Sequence, residues 1–444
     1  MAIPASITRI SALRRGPIAR GALASIAIRV ATLALGFVQA VLAARLLGPQ
    51  GYGVVAVAMS VAAIAGSLTM LGLGPLAVRE VARLSVRAEW GRLRGFLRFS
   101  TRSVLAASAL AAAVIVALAL ATPLFGPSFR GAVALAAPLA PLLALLAVYR
   151  GQCQGFGRVV AAQAPGELLR PALMVAALGL LFAMAGAAAP RAYIILAIGA
   201  ALAGTAAAAL TQWRIVAATV PAAPPMMAPR EWTGAATPFL ALAIAGILQG
   251  EVNTLLLGWL VGPAEAGLFQ PLARLAPVML IGMQAVSMRY GPRVSELWAQ
   301  GDTAQLIRVT RMVTVTTTLF AAATCAAILL LAPWILGIFG KAFTANAAAL
   351  GWIAAAQMFN VACGPAGLLL TMSGHPSRAL AGQLAALAAN VALGLWLIPA
   401  HGAHGAAQAM AGGIVVWNLV MLAAARRYLG FDPSLLGLAA GPRE

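Results

Sequence analysis

Apolar residues in this chain gather into runs too long to form the single buried face of a soluble helix. Windows of about twenty residues or more, nearly free of charge, fall near 21–46, 52–77, 103–125, 131–149, 165–188, 192–213, 234–260, 266–288, 310–332, 346–371, 379–399 and 405–424. Most are long enough to cross a hydrocarbon layer of about 30 Å as a helix. A helix is also the form in which such a segment satisfies its own backbone polar groups without water. Polar residues, Gly and Pro punctuate the windows. The pattern predicts an all-α polytopic membrane protein with about twelve transmembrane helices.

The punctuation repeats. Gly48-Pro49-Gln50-Gly51-Tyr52-Gly53 joins the first two windows, and Gly262-Pro263-Ala264-Glu265-Ala266-Gly267 joins the seventh and eighth, 214 residues later. Gly48, Pro49 and Gly53 fall on Gly262, Pro263 and Gly267 without a gap, and Arg79 falls on Arg293 at the same offset. The chain therefore reads as two similar halves. A Pro-rich stretch at 219–225 cannot continue a helix and marks the boundary. The expected organisation is a basic tail 1–20, a six-helix bundle 21–217, a linker 218–233, a second six-helix bundle 234–425 and a tail 426–444. Six spans per half make the halves parallel repeats, related by an axis along the membrane normal. The stretch 289–308 mixes Leu297 and Trp298 with charges and is expected to lie in the membrane interface as an amphipathic helix.

Composition agrees with this reading and charge orients it. Hydrophobic residues make up 62% of the 444 and charged residues 9%, against about 25% charged in soluble domains. Twelve spans place both termini on one side, and the tails and loops of that side hold most of the 30 basic residues. The largest group is Arg79, Arg83, Arg87, Arg92, Arg94, Arg98 and Arg102, whereas the opposite loops hold Arg130, Arg191 and Lys341. This asymmetry makes both termini cytoplasmic. The net charge of +20 then orients the chain and rests against anionic lipid. It does not indicate nucleic acid, since no basic patch is interleaved with aromatics. The run after the basic residues 1–20 is too long for a secretory signal and lacks a cleavage pattern, so it reads as an uncleaved first span.

The turn motif, read from Ala44-Arg45-Leu46-Leu47 through Gly53, is followed by Leu71-Gly72-Leu73-Gly74 and Val78-Arg79-Glu80-Val81-Ala82-Arg83. Together these closely resemble the opening of bacterial polysaccharide exporters. These are the lipid-linked oligosaccharide flippases, O-antigen type included, of the multidrug/oligosaccharidyl-lipid/polysaccharide superfamily. Leu255-Leu256-Leu257-Gly258 and Ala266-Gly267-Leu268-Phe269 extend the resemblance into the second half. It implies two six-helix bundles forming a MATE-like V around a central cavity, in the bacterial inner membrane. It implies a glycan on a polyprenyl pyrophosphate as cargo, moved from the cytoplasmic to the outer leaflet. Membrane lipids are expected partners, with a glycan polymerase or glycosyltransferases as further ones, and a monomer is expected.

Such cargo is large, polar and anionic, so the charges inside the spans become candidates. An arginine at a helix centre costs about 2.5 to 3.5 kcal/mol on insertion scales and needs a reason to be there. Arg29 precedes Arg45 by about 24 Å of helix, so at least one of them dips into the core or snorkels out. Arg29, Thr32, Gly36 and Gln39 share one face. Arg274 lies near mid-depth, one turn after Gln270, between Pro271 and Pro277, which can kink or unwind the helix. Gln163, Glu167 and Arg170 form a stripe in the fifth window, facing either the cavity or the cytoplasmic interface. Glu251 lies well inside an apolar run, suited to binding a coupling cation or proton, or to pairing with Arg29 or Arg274. Asn253 faces away from it. The substrate-binding set is thus Arg29, Arg274, Arg170, Gln39, Gln270 and Asn253, with Glu251 and Glu167 for coupling or internal pairing. Gln357 with Asn360, and Gln383 with Asn390, are expected to bond between helices.

Catalysis is not expected. The chain holds ten acids, of which Asp302 and Asp432 are its two aspartates, and none forms a close pair. Cys153, Cys325 and Cys363 lack metal or redox spacing and read as small buried hydrophobes. His401 and His404 have no acid or thiol beside them in sequence, so neither a metal nor a cofactor is expected. The alternative function is a cation-coupled multidrug antiporter of the same superfamily. That activity favours acids in the cavity, whereas Arg29, Arg170 and Arg274 outnumber Glu167 and Glu251.

Overall fold

The apolar windows become helices, as backbone groups in lipid require. The structure, a computed structural model, describes residues 17–123 and 125–439. Arg9, Arg14 and Arg15 of the basic tail, and the last residues of the C-terminal tail, lie outside them. The fold is an all-α polytopic membrane fold. Among the described residues, seven helices are long and apolar enough to cross a membrane, and two pairs bent by 44° and 43° bring the number to nine. Two helices are double length. Pro17–Thr69 has 53 residues, about 80 Å if straight, and kinks at Gly48 (φ 64°, ψ 177°). Pro376–Leu429 breaks at Gly402 (φ 52°, ψ −130°). There Gly405 backs onto the Leu397 carbonyl and Gly413 onto that of Ala386, so the chain doubles back as an antiparallel hairpin. Pro263–Leu275 and Ile281–Gln300 are joined by a 3-10 turn at Ala276–Leu280, which contains Pro277. The window 52–77 is interrupted at residues 70–72, where Leu71 takes φ 55° before Leu73–Val86 begins.

The helices pack as two compact units. The first holds the described residues up to Leu46 together with Val61–Ile244. Its core joins Leu73, Leu76, Val81, Leu84, Leu93 and Phe96 to Val148 and Trp232. Trp232 is fully buried, 5.4 Å from the Phe96 ring and 5.3 Å from that of Phe99. The Pro-rich stretch before it lies along the helix Trp90–Ala121. Met226 N–H donates to the Gly91 carbonyl at 2.9 Å, and Arg94 Nε donates to that of Pro221 at 3.0 Å. The start of Pro229–Leu260 stays with this unit: a Cβ on Gly72 would lie 2.4 Å from the Ala236 carbonyl oxygen.

The arginine group differs from the expected lipid-facing loop. It occupies Leu73–Val86 and the opening turns of Trp90–Ala121. Arg79 and Arg83 hold the buried carboxylate of Glu80, at 3.2 and 2.6 Å. Glu231 pairs with Arg83 at 3.4 Å and with Arg92. Arg98 and Arg102 remain exposed. The acids Glu80 and Glu231 thus hold arginines that the sequence pattern assigns to the lipid surface.

The second unit holds Leu47–Ser60 and the described residues from Ala245 onward. Its core gathers Tyr290, Val294 and Leu297 with Leu306, Leu369, Leu370, Met421 and Ala425. The expected interfacial helix at 289–308 is instead the end of Ile281–Gln300, a left-handed turn at Gly301 and the start of Thr303–Leu330. Leu297 packs into the core, and Asp302 caps the second helix by accepting from Gln305 N–H at 2.9 Å. Gly48 and Gly262 both take positive φ, and the prolines after them enter the following helical turns. The two turns meet reciprocally. A Cβ on Gly53 would be 1.6 Å from the Pro263 carbonyl oxygen, and one on Gly267 would be 1.9 Å from that of Pro49.

Candidate functional site

In the first unit, the polar face of Pro17–Thr69 is divided. Gln39 Nε2 donates to Tyr193 Oη at 2.8 Å. Thr32 Oγ1 lies 2.8 Å from the carbonyl oxygens of both Ile28 and Glu167, placed to donate to either. These two residues therefore join their helix to Pro190–Thr219 and to the segment that carries Glu167. Arg29 is exposed and has no ion pair among the described residues.

The expected stripe of the fifth window is rearranged. Ala164–Leu169 is a π-helix, entered through Pro165, which has no N–H to give to the preceding turn. The wider π turn shifts the register of side chains on either side of it. Glu167 turns to Arg150, with an Nη1 to Oε1 distance of 2.8 Å. Gln163 Oε1 is buried without a hydrogen-bond partner among the described residues. Arg170 packs its stem 3.3 Å from where a Gly204 Cβ would be. Arg150 carries no motif. Its signal is only that it is the one basic residue at the end of the fourth window.

In the second unit, Glu251 Oε2 accepts from Ser60 Oγ at 2.5 Å, with no arginine ion pair among the described residues. Asn253 is 2% exposed, and its Oδ1 has no partner among the described residues. Gln270 Nε2 donates to Thr254 Oγ1 at 3.0 Å. Arg274 is exposed at the end of Pro263–Leu275, just before the 3-10 turn, and forms no ion pair among the described residues. Asn360 Nδ2 donates to Gln357 Oε1 at 3.1 Å, and Asn418 Nδ2 donates to Asn360 Oδ1 at 3.0 Å. The second bond joins Ala347–Ala362 to Pro376–Leu429. At the kink of that long helix, Glu265 Oε2 accepts the Ala403 N–H at 2.7 Å. This carboxylate, within the second turn motif, caps the segment that restarts after Gly402.

The acids inside the spans are thus occupied by Ser60 and Arg150, while Arg29 and Arg274 present exposed guanidinium groups. A family model for polysaccharide biosynthesis proteins matches residues 18–298, more than half of the chain. The chain belongs to that family. Among solved structures, it is similar to an inward-facing MATE-family multidrug resistance transporter of the MOP superfamily. The TM-score is 0.71 at 15% identity, over 90% of this chain and 94% of the other. It is also similar to the lipid II flippase MurJ in an inward closed conformation, with TM-score 0.64 at 13% identity over 90% and 87%. An outward-facing MATE-family transporter matches with TM-score 0.61 at 15% identity over 93% and 95%. At these identities the likeness is one of fold. Among curated proteins no relative matches the sequence. The protein is a multi-pass membrane protein that shares its fold with these solved structures.

Proposed function

We propose that this protein flips a polyprenyl-pyrophosphate-linked oligosaccharide from the cytoplasmic to the outer leaflet by alternating access. It would serve polysaccharide biosynthesis in a bacterial inner membrane, with both termini cytoplasmic. The observation that carries the reading is the imbalance of available charge. Glu251 and Glu167 are engaged by Ser60 and Arg150, whereas Arg29 and Arg274 are exposed and unpaired among the described residues. Unpaired intramembrane arginine is costly, and an anionic head group offsets that cost. The polysaccharide biosynthesis family supplies the context in which such a head group is a lipid-linked glycan. In this reading Arg29, Arg170 and Arg274 are the anion-binding residues, and Gln39, Gln270 and Asn253 offer polar contacts to sugar. A potential negative inside assists outward movement of each anionic charge by about 2.3 kcal/mol per 100 mV if it crosses the whole field.

A second reading, a cation-coupled multidrug antiporter, is favoured by one observation. Glu251 is a half-buried carboxylate on Pro229–Leu260, close in sequence to the free Oδ1 of Asn253. The two readings separate on Arg274. With Arg274→Ala, surface glycan in cells dependent on this protein should fall sharply at unchanged protein level, and Arg274→Lys should restore part of it. Unchanged export by Arg274→Ala would remove Arg274 from the mechanism.

A further inference from the structure

The first unit contains an apolar groove that none of the charged candidates occupies. It is lined by Leu35 of Pro17–Thr69, by Ala161, Pro165, Leu168 and Ala172 among residues 161–172, and by Ala207 and Thr211 of Pro190–Thr219, and has a volume of about 560 Å³. That is within the range of about 300–1,000 Å³ of small-molecule sites. The π-helix Ala164–Leu169 forms its floor. Four of the nine lining residues are alanine, which widens the bed. Thr211 adds no polarity to the wall, because its Oγ1 donates back to the Ala207 carbonyl at 2.8 Å. The groove lies along segments long and apolar enough to cross a membrane, Val159–Ala185 and Pro190–Thr219. Water therefore does not fill it favourably, and a lipid chain does.

One end of the groove is marked by charge. Arg158 stands three residues before Ala161, and Arg214 stands three residues after Thr211. Both guanidinium groups are exposed. The two segments run antiparallel here, since only residues 186–189 separate Arg170–Ala185 from Pro190–Thr219 and Gly204 packs beside the Pro165 carbonyl. Arg158 and Arg214 therefore lie at the same end, the end that the charge asymmetry makes cytoplasmic. We infer that this groove takes the isoprenoid tail of the lipid-linked substrate as it enters from the cytoplasmic leaflet, with its diphosphate between Arg158 and Arg214. A methyl-branched chain needs the width that the alanines leave, and two arginines at one mouth match a diphosphate. This rests on the flippase reading and adds to it a capture site distinct from Arg29 and Arg274.

The test uses the full chain in lipid nanodiscs with a diazirine-bearing polyprenyl diphosphate, followed by mapping of labelled peptides. Label is expected on residues 159–172 and 203–214. Filling the groove with Ala164→Trp or Ala207→Phe should lower that label about tenfold, a loss of about 1.4 kcal/mol. Arg158→Ala with Arg214→Ala, at exposed positions where folding is not at stake, should lower it while leaving the same probe lacking its diphosphate unaffected. Equal labelling by a diazirine phosphatidylglycerol would overturn the inference in favour of an annular lipid chain. Label elsewhere, or label indifferent to the filling variants when thermal stability is retained, would also overturn it. Flipping of the lipid-linked glycan is read separately in vesicles. Groove label without flipping would sink the transport reading alone, and flipping that survives the filling variants would sink the groove alone.

Discussion

Adding one carbon to Gly53 or Gly267 should destabilise the second unit by an amount set by a contact seen twice. A Gly53 Cβ would lie 1.6 Å from Pro263 O, 2.6 Å from Pro263 C and 2.8 Å from Gly267 N. A Gly267 Cβ would lie 1.9 Å from Pro49 O, 2.8 Å from Pro49 C and 2.9 Å from Gly53 N. All six atoms are backbone, so no side chain can swing aside. Ordinary contact begins near 3.4 Å, so the two turns must separate by more than about 1.5 Å in either variant. Overpacking usually costs about 1 to 3 kcal/mol, and a rigid backbone contact belongs at the upper end. Gly53→Ala and Gly267→Ala are each expected to cost about 3 kcal/mol. Both open the same gap, so the double variant should cost less than the sum, with a coupling of about 1 to 3 kcal/mol. Gly179→Ala, where nothing lies within 4 Å, is the control, and helix propensity makes it neutral or stabilising. Unfolding in detergent, followed by tryptophan fluorescence, reads all four proteins. Wild-type stability in either single variant, or strict additivity in the double, would refute the reciprocal contact.

Trp232→Ala removes a fully buried ring packed on Phe96 and Phe99, and should cost about 3 to 5 kcal/mol in the same unfolding measurement. Glu265→Ala withdraws the acceptor of the Ala403 N–H and should cost about 1 kcal/mol, as loss of a cap does. Hydrogen exchange should then rise first at residues 401–406. Burial pushes the Asp432 carboxyl up, but the Ser434 N–H and the Arg426 guanidinium outweigh it and hold the pKa below its ordinary value. A depressed folded-state pKa gives stability that is complete above the unfolded value of about 3.9 and is lost as pH falls through the folded value. Hydrogen exchange at residues 431–439 should therefore accelerate only below about pH 4, and Asp432→Asn should remove that step.

The helical, membrane-spanning character of the apolar windows was legible because it depends on the length and polarity of single segments. Gly48-Pro49 and Gly262-Pro263 announced turns by residue type, and Gly48 and Gly262 have positive φ. Partners were not legible, because periodicity describes one helix's own face and not its neighbours. Ser60 reaches Glu251 across 191 residues of sequence. Arg150 carries no motif, yet it takes Glu167 away from the expected stripe. Pro165-Gly166 inside an apolar window was the available hint of the π-helix. The arginine group was assigned to lipid because its helices were windowed as a loop, which hid the acids Glu80 and Glu231 that hold part of it. Likewise, windows cannot divide a helix, so the passage of 47–60 into the second unit and of 229–244 into the first was not visible.

The most direct measurement of the proposed function is flipping itself, with purified protein in vesicles carrying a polyprenyl-pyrophosphate oligosaccharide. Accessibility of the glycan to an added glycosidase reports its leaflet. The account predicts that wild-type protein moves the lipid-linked glycan across the bilayer and that Arg29→Ala and Arg274→Ala lose that movement while staying folded. Vesicles in which the glycan stays put, while a cationic dye is exported against a proton or sodium gradient in a Glu251-dependent way, would contradict it.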